Sequence, residues 1–381
     1  MTDAMCDIRA RGRRLARLLV VSAFVLAVVS VAAPAASGRV SRGFYGIVPA
    51  TPLTGSDVNL MGKAGVGSLR LLFFWPSIQP KHRGPMNWVG IDQAVAGAAR
   101  KHISVLPILV GTPPYENKGC RSHDCSGHIR FKTKVQRRDW QAFVKEAVRR
   151  YGRHGYFWAW NPSVPYEPIT HWQIWNEQNG PTQRNPAPLY AKLVKSSDRT
   201  IHTVDRRAQT VLGGMFGTPP GGNKTTAWAY LASLYRAGAR THFDAVALHP
   251  YSRTMSGIRT QIRRIRRVLR RRGDANRRIL ITEIGWGSSR KRHAGTGGRG
   301  LLFNVSPKRQ KRKLARSFRL LTNNRRSWRI GGVYWFEWKD PKHPPAGLCA
   351  FCYSSGLYEA DGKTAKPALS AYKRFTRKTR G

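Results

Sequence analysis

Apolar and polar positions alternate along this chain in blocks. Short unbroken apolar runs fall at 43–50, 68–75, 103–111, 171–178, 210–217, 244–252, 278–286 and 331–338. Between them lie longer stretches whose apolar residues recur every three or four positions, at 57–65, 87–102, 135–152, 187–205, 226–239, 259–273 and 309–324, with a last one at 367–375. An apolar run without alternation predicts a strand buried on both faces, as in a parallel sheet. The three-to-four spacing predicts amphipathic helices between the strands. Eight such strand–helix units predict an α/β fold, a single (β/α)₈ TIM barrel over 37–381. An open doubly wound sheet is the alternative. Its glycine fingerprint occurs only as GTGGRG at 295–300, which follows no strand directly and opens no helix.

The N-terminus departs from this rhythm. Arg9, Arg11, Arg13, Arg14 and Arg17 precede an apolar run over 18–33, followed by the small residues APAAS. That order reads as a secretory signal over 1–36. The run is shorter than the ~20 residues that span a bilayer, so no transmembrane helix is expected in the mature form. Export makes two short disulfides, Cys120–Cys125 and Cys349–Cys352, the favoured use of four cysteines. The stretch GCRSHDCSGHIR also spaces Cys120, His123, Cys125 and His128 as a zinc site would, so a metal stands as the rival there. The expected location is extracellular or at the cell envelope.

Charge adds a second theme. The formal net charge is +48, which draws a protein toward polyanions. The densest basic runs, at 259–273 and 309–324, keep helical apolar positions such as Ile262, Ile265, Leu314 and Phe318, so each reads as a solvated basic face on a core-packed helix. Aromatic residues are not interleaved with the arginines, so a dedicated nucleic-acid site is not indicated. An anionic envelope polymer is the partner that the basic surface suggests.

In a barrel, reactive groups gather at the C-terminal ends of the strands. Those ends carry Arg70 and Trp75, then Trp175, Asn176 and Glu177, then His249 and Tyr251, then Glu283 and Trp286, and last Trp335, Glu337 and Trp338. Two carboxylates among aromatic residues suit glycosidic bond cleavage. One must stay protonated to assist the leaving oxygen, and the other must stay ionised. No G-x-S-x-G is present, and GGNKTT lacks the phosphate-loop lysine pattern. No cofactor is required.

Trp175-Asn176-Glu177 after a fourth strand, with Thr282-Glu283-Ile284-Gly285-Trp286 at a seventh, resembles clan A of the glycoside hydrolases, the retaining (β/α)₈ group that includes families 5 and 39. The resemblance spans roughly 43–375. It implies Glu177 as general acid/base, Glu283 as nucleophile, and Asn176 as the contact to the sugar 2-hydroxyl. It implies Arg70 beside the nucleophile, and His249 and Tyr251 orienting the nucleophile and lining the subsite. Trp335 or Trp338 would floor the first subsite, while Glu337 is expected to face the helices or support a loop. The expected function is a secreted retaining β-glycosidase acting on a poly- or oligosaccharide. A non-catalytic glycan- or envelope-binding barrel is the alternative.

Overall fold

The computed structural model describes residues 40–49, 52–117, 125–180, 185–218, 225–289, 303–342, 349 and 351–377. The proposed leader therefore lies outside the described residues, as does Cys120. Eight strands close into one parallel barrel in sequential order. They are β1 (Tyr45–Val48), β2 (Ser68–Phe74), β3 (Ser104–Val110), β4 (His171–Asn176), β5 (Gln209–Phe216), β6 (Ala245–His249), β7 (Arg278–Ile284) and β8 (Ile330–Phe336).

The helices follow the predicted order. Between the first strands run α1 (Gly55–Ala64), the single turn α2 (Trp75–Ile78) and α3 (Val89–Arg100), and between β3 and β4 run α4 (Lys134–Tyr151) and α5 (Tyr156–Trp160). The remaining helices are α6 (Ala187–Val204), α7 (Ala227–Arg236), α8 (Met255–Arg271), α9 (Pro307–Asn323) and α10 (Pro367–Thr376). Local sequence fixes several of their starts. Thr54 with Asp57, and Thr133 with Gln136, form capping boxes that satisfy backbone N–H groups otherwise left open at a helix N-terminus.

Two apolar layers result. Inward-facing Val48, Leu106, Val211, Ala245, Ala247, Leu280 and Tyr334 fill the barrel interior. Outward-facing strand residues pack against the helices in a larger core. On α8 the buried positions are Ile258, Gln261, Ile262, Ile265, Arg266 and Leu269, while arginines such as Arg263, Arg267 and Arg271 face solvent. The amphipathic reading of that basic run holds.

Trp75 departs from expectation. It opens α2 and turns away from the barrel mouth, stacking on Phe143 with ring centroids 5.6 Å apart and meeting Trp140 edge-on at the same separation. Its indole N–H donates to Gln79 Oε1 at 3.0 Å. A ring only 2% exposed has no face left for a ligand. Trp75→Ala is expected to cost about 3–5 kcal/mol of stability, read by chemical denaturation, as for other buried aromatic truncations.

Candidate active site

The site is built around Arg70. As the third residue of β2 it points into the barrel, 1% exposed, with its donors divided between two other strands, β4 and β7. Nε donates to Gln173 Oε1 at 2.7 Å, one terminal nitrogen to Glu283 Oε1 at 2.6 Å and the other to Asn176 Oδ1 at 2.7 Å. Tyr251 donates its hydroxyl to the other Glu283 oxygen at 2.8 Å. His249 Nδ1 lies 2.8 Å from Glu177 Oε1 and 3.6 Å from Glu283 Oε2, and its Nε2 lies 3.0 Å from Thr282 Oγ1.

Strict strand alternation does not produce this set. Gln173 and Asn176 are three positions apart, yet both reach Arg70. The offset is absorbed at Trp175, whose φ of 71° is left-handed; Glu177 follows at 45°. Each such non-glycine residue costs about 1–2 kcal/mol. The turn sends the Trp175 ring outward onto Trp140, 6.0 Å between centroids, and the polar pair inward. In β7 a register shift between Ile281 and Ile284 lets the adjacent residues Thr282 and Glu283 both face the site.

Strand β5 supplies room. A Cβ on Gly214 would stand 2.0 Å from His249 Nε2, and one on Gly213 would stand 2.3 Å from Gln178 Oε1. Side chains are therefore excluded where the imidazole and the Glu177 segment cross β5.

The two carboxyls are pushed apart in acidity. Burial raises Glu177, and Glu283 raises it further, against opposition from His249 and Arg70. Burial acts in the same direction on Glu283, but His249, Arg70 and Tyr251 together outweigh it and hold Glu283 below the ordinary carboxylate range. Tyr251, buried and facing both carboxylates, is raised well above the ordinary phenol value and stays a donor.

The aromatic surroundings differ from expectation. Trp286, Trp335 and Trp338 are each at most 1% exposed. Trp286 donates to the Ser252 carbonyl, Trp335 to the Ser355 carbonyl and Trp338 to Asp57. Trp335 has outward parity on β8 and packs on Phe318 of α9, so none of these rings floors a sugar site. The neighbours of Tyr251 are instead Phe216, Phe303, Phe336 and Phe351, with Phe351 at 5.0 Å between centroids. Leu72, two residues beyond Arg70 on the same face of β2, is 48% exposed at the open end. Parity alone marks Phe336 and Leu72 as inward, and Gln173 is a polar residue at an inward position of an apolar strand.

Glu337 lies beneath this mouth. It is fully buried, accepts from the Ser355 hydroxyl at 2.9 Å, and its second oxygen has no partner among the described residues. Burial first, then Asp340 and Glu283 against Ser355 and Lys366, raise it well above the carboxylate range. It thus holds the segment carrying Phe351, which Cys349–Cys352 also closes as a disulfide. Cys125 is disulfide-bonded too.

Among the described residues, two side-chain groups have metal-type donors converging within 4.8 Å: Glu177, His249 and Glu283, and Asp198, His202 and Asp244. In the first, the Arg70 guanidinium already stands as the cation against Glu283. In the second, Thr210 donates its hydroxyl to Asp198 and its backbone N–H to Asp244, each at 2.8 Å, and His242 meets Asp198 at 2.9 Å. Both groups are accounted for by protein donors.

The Glu283 shift has a defined pH sign. Its folded value is lowered, so its stabilisation is present above the unfolded value of about 4.3 and is lost as pH falls through the folded one. Arg70→Met is expected to move the Glu283 carboxyl titration to higher pH, followed by ¹³C NMR of labelled glutamate. Gly214→Ala is expected to displace His249 and to perturb its ring resonances while the fold persists.

No family model matches the chain, and no curated protein matches it in sequence. Solved structures do. A family 39 glycoside hydrolase from Bacteroides cellulosilyticus WH2 aligns with a TM-score of 0.64 at 19% identity, over 89% of this chain and 64% of that one. A monomeric β-xylosidase from Caulobacter crescentus CB15 aligns at 0.61 and 16% identity, over 88% and 68%. An intracellular xylanase from Thermoanaerobacterium saccharolyticum aligns at 0.56 and 12% identity, over 86% and 94%. The chain spans just under two thirds of the length of the Bacteroides enzyme. In fold, it resembles the (β/α)₈ glycoside hydrolases of clan A.

Proposed function

We propose that the chain is a β-glycosidase that retains anomeric configuration. The observation that carries this reading is the carboxyl pair: Glu177 and Glu283 bring oxygens within 4.8 Å of one another. Retaining enzymes hold their carboxyls about 5–5.5 Å apart, whereas inverting ones leave about 6.5–9.5 Å for a water. The opposed acidities support the same assignment of roles.

In the first step a Glu283 oxygen attacks the anomeric carbon. The glycosidic C–O bond breaks, and its electron pair goes to the leaving oxygen as Glu177 delivers a proton there. In the second step Glu177, now ionised, takes a proton from water. The water oxygen bonds to the anomeric carbon, and the ester to Glu283 breaks. Arg70 and Tyr251 hold Glu283 ionised and oriented before attack and receive the carboxylate again on release. His249 bonds Glu177 rather than Glu283, so it is read as the positioner of the acid. The Asn176 Nδ2 amide, which Arg70 does not engage, is the donor offered to a sugar hydroxyl. Leu72 and Phe336 supply apolar surface.

Export is part of the proposal. It is supported by the basic-then-apolar N-terminus and by disulfide bonding at Cys349–Cys352, which persists in oxidising compartments. Among the described residues no helix is long and apolar enough to cross a membrane. N-terminal sequencing of the exported protein is expected to begin near residue 37.

Hydrolysis of aryl β-glycosides tests the enzyme reading. Glu283→Gln is expected to abolish turnover. Glu177→Gln is expected to lower it by about 10²–10⁴, least for leaving groups that need no proton. The kcat/KM profile is expected to be bell-shaped, with Glu283 ionisation on the acid limb and Glu177 deprotonation on the alkaline limb. Glu177→Gln is expected to remove the alkaline limb. Glycan binding by all forms without turnover by wild type would favour a binding protein instead.

A further inference from the structure

The basic face of α9 borders a concavity. Arg309, Arg312, Lys313 and Arg316 recur at positions i, i+3, i+4 and i+7 of α9 and so share one helix face. With Arg253, which follows β6, they line a cavity of about 620 Å³ that is open to solvent, together with Trp286, Asn304 and Val305. None of the five cations is ion-paired with a described carboxylate, and Lys313 sits over the Trp286 ring, 5.5 Å from its centroid, with its ammonium on the Arg253 carbonyl. Burial and then Arg316, Arg253 and Arg309 lower the Lys313 ammonium below its ordinary value. Like charges at such spacing work against the helix and against each other. A concave site that gathers them without a protein counter-charge is arranged for an anion from outside.

Its position ties it to the carboxyl pair. Arg253 lies two residues beyond Tyr251, whose hydroxyl bonds Glu283. Trp286 lies three residues beyond Glu283, so their Cα atoms are separated by at most about 11 Å of extended chain. The cavity is therefore on the C-terminal face of the barrel, along the flank formed by the segments that follow β6 and β7.

We propose that this cavity is an anion subsite, and that the glycan cleaved at Glu177 and Glu283 carries carboxylate, sulfate or phosphate groups that seat against Arg253, Arg309, Arg312, Lys313 and Arg316. The substrate role rests on the glycosidase reading; the subsite itself does not. Multiple guanidinium groups around one cavity favour planar or tetrahedral oxyanions through paired N–H donors. A neutral glycan would leave those cations uncompensated.

The test uses the full chain carrying Glu283→Gln, so that binding is measured without turnover. Calorimetry is run with a chondroitin sulfate hexasaccharide, its desulfated counterpart, which keeps the uronates, a polygalacturonate oligomer and a neutral xylohexaose. Two triple variants are compared: Arg309→Gln/Arg312→Gln/Arg316→Gln at the cavity, and Arg263→Gln/Arg267→Gln/Arg271→Gln on the exposed face of α8. They remove equal charge. The expected result is at least tenfold weaker binding of the anionic oligosaccharides for the α9 variant, little change for the α8 variant and no charge-dependent binding of xylohexaose. Sulfated and carboxylated probes then separate the two anion types. Equal losses in both variants would overturn the proposal in favour of the general field of the protein. A DNA duplex that binds as tightly, with the same dependence on α9, would overturn it in favour of a nucleic-acid surface. Aryl-glycoside turnover in otherwise wild-type protein is read in parallel. Cavity-dependent binding without any turnover would reject the substrate role and place the failure in the glycosidase reading rather than in the subsite.

Discussion

The buried ion pair between Arg70 and Glu283 governs the rest of the site. A guanidinium at 1% exposure is tolerable only because carboxylate, amide and amide accept all three directions of its fork. Removing one partner from such a buried pair typically costs about 3–5 kcal/mol, because the survivor is left uncompensated. The pair thus ties β2, β4 and β7 together across the barrel. It also fixes which carboxyl bears the negative charge. Once Glu283 is ionised, a second negative charge on the nearby Glu177 is opposed both by Coulomb repulsion and by burial.

That division of charge depends on backbone irregularity. A regular β4 would place Gln173 and Trp175 on one face and Asn176 on the other. The left-handed residue at Trp175 sacrifices local stability, and the indole recovers part of it by packing on Trp140. The β7 register shift performs the equivalent task for Glu283. The glycine pair in β5 is the complement of both, since the imidazole between the carboxyls needs the volume a side chain there would fill.

The barrel, its strand order and the inward polar residues Arg70, Asn176, Glu177, His249, Tyr251 and Glu283 were all legible from apolar periodicity and strand ends. The tryptophans were not. Trp75, Trp286, Trp335 and Trp338 sit at or just past strand ends, and sequence proximity to a mouth does not specify which side of the wall a ring occupies. For Trp335 the two-residue period did carry that information, since inward Tyr334 makes its neighbour outward. For Trp75 it did not, because the chain turns into a helix at that residue. The contact of Thr282 with His249 was not legible, because it depends on a register shift that no local pattern announces. The basic runs looked alike in composition; only the placement of Arg253 and Trp286 beside α9 distinguishes one from the other.

The exposed arginine rows of α8 have a consequence for the folded state as a whole. Arg259, Arg263, Arg267 and Arg271 follow one another at four-residue intervals along a single face, so neighbours repel within the helix itself. Hydrophobic burial of Ile258, Ile262, Ile265 and Leu269 holds the helix down against that repulsion. Counter-ions lower the repulsion without touching the core. Ionic strength thus acts on the two sides of α8 differently: it screens the repulsion along the arginine row and leaves the apolar anchorage of the helix unweakened.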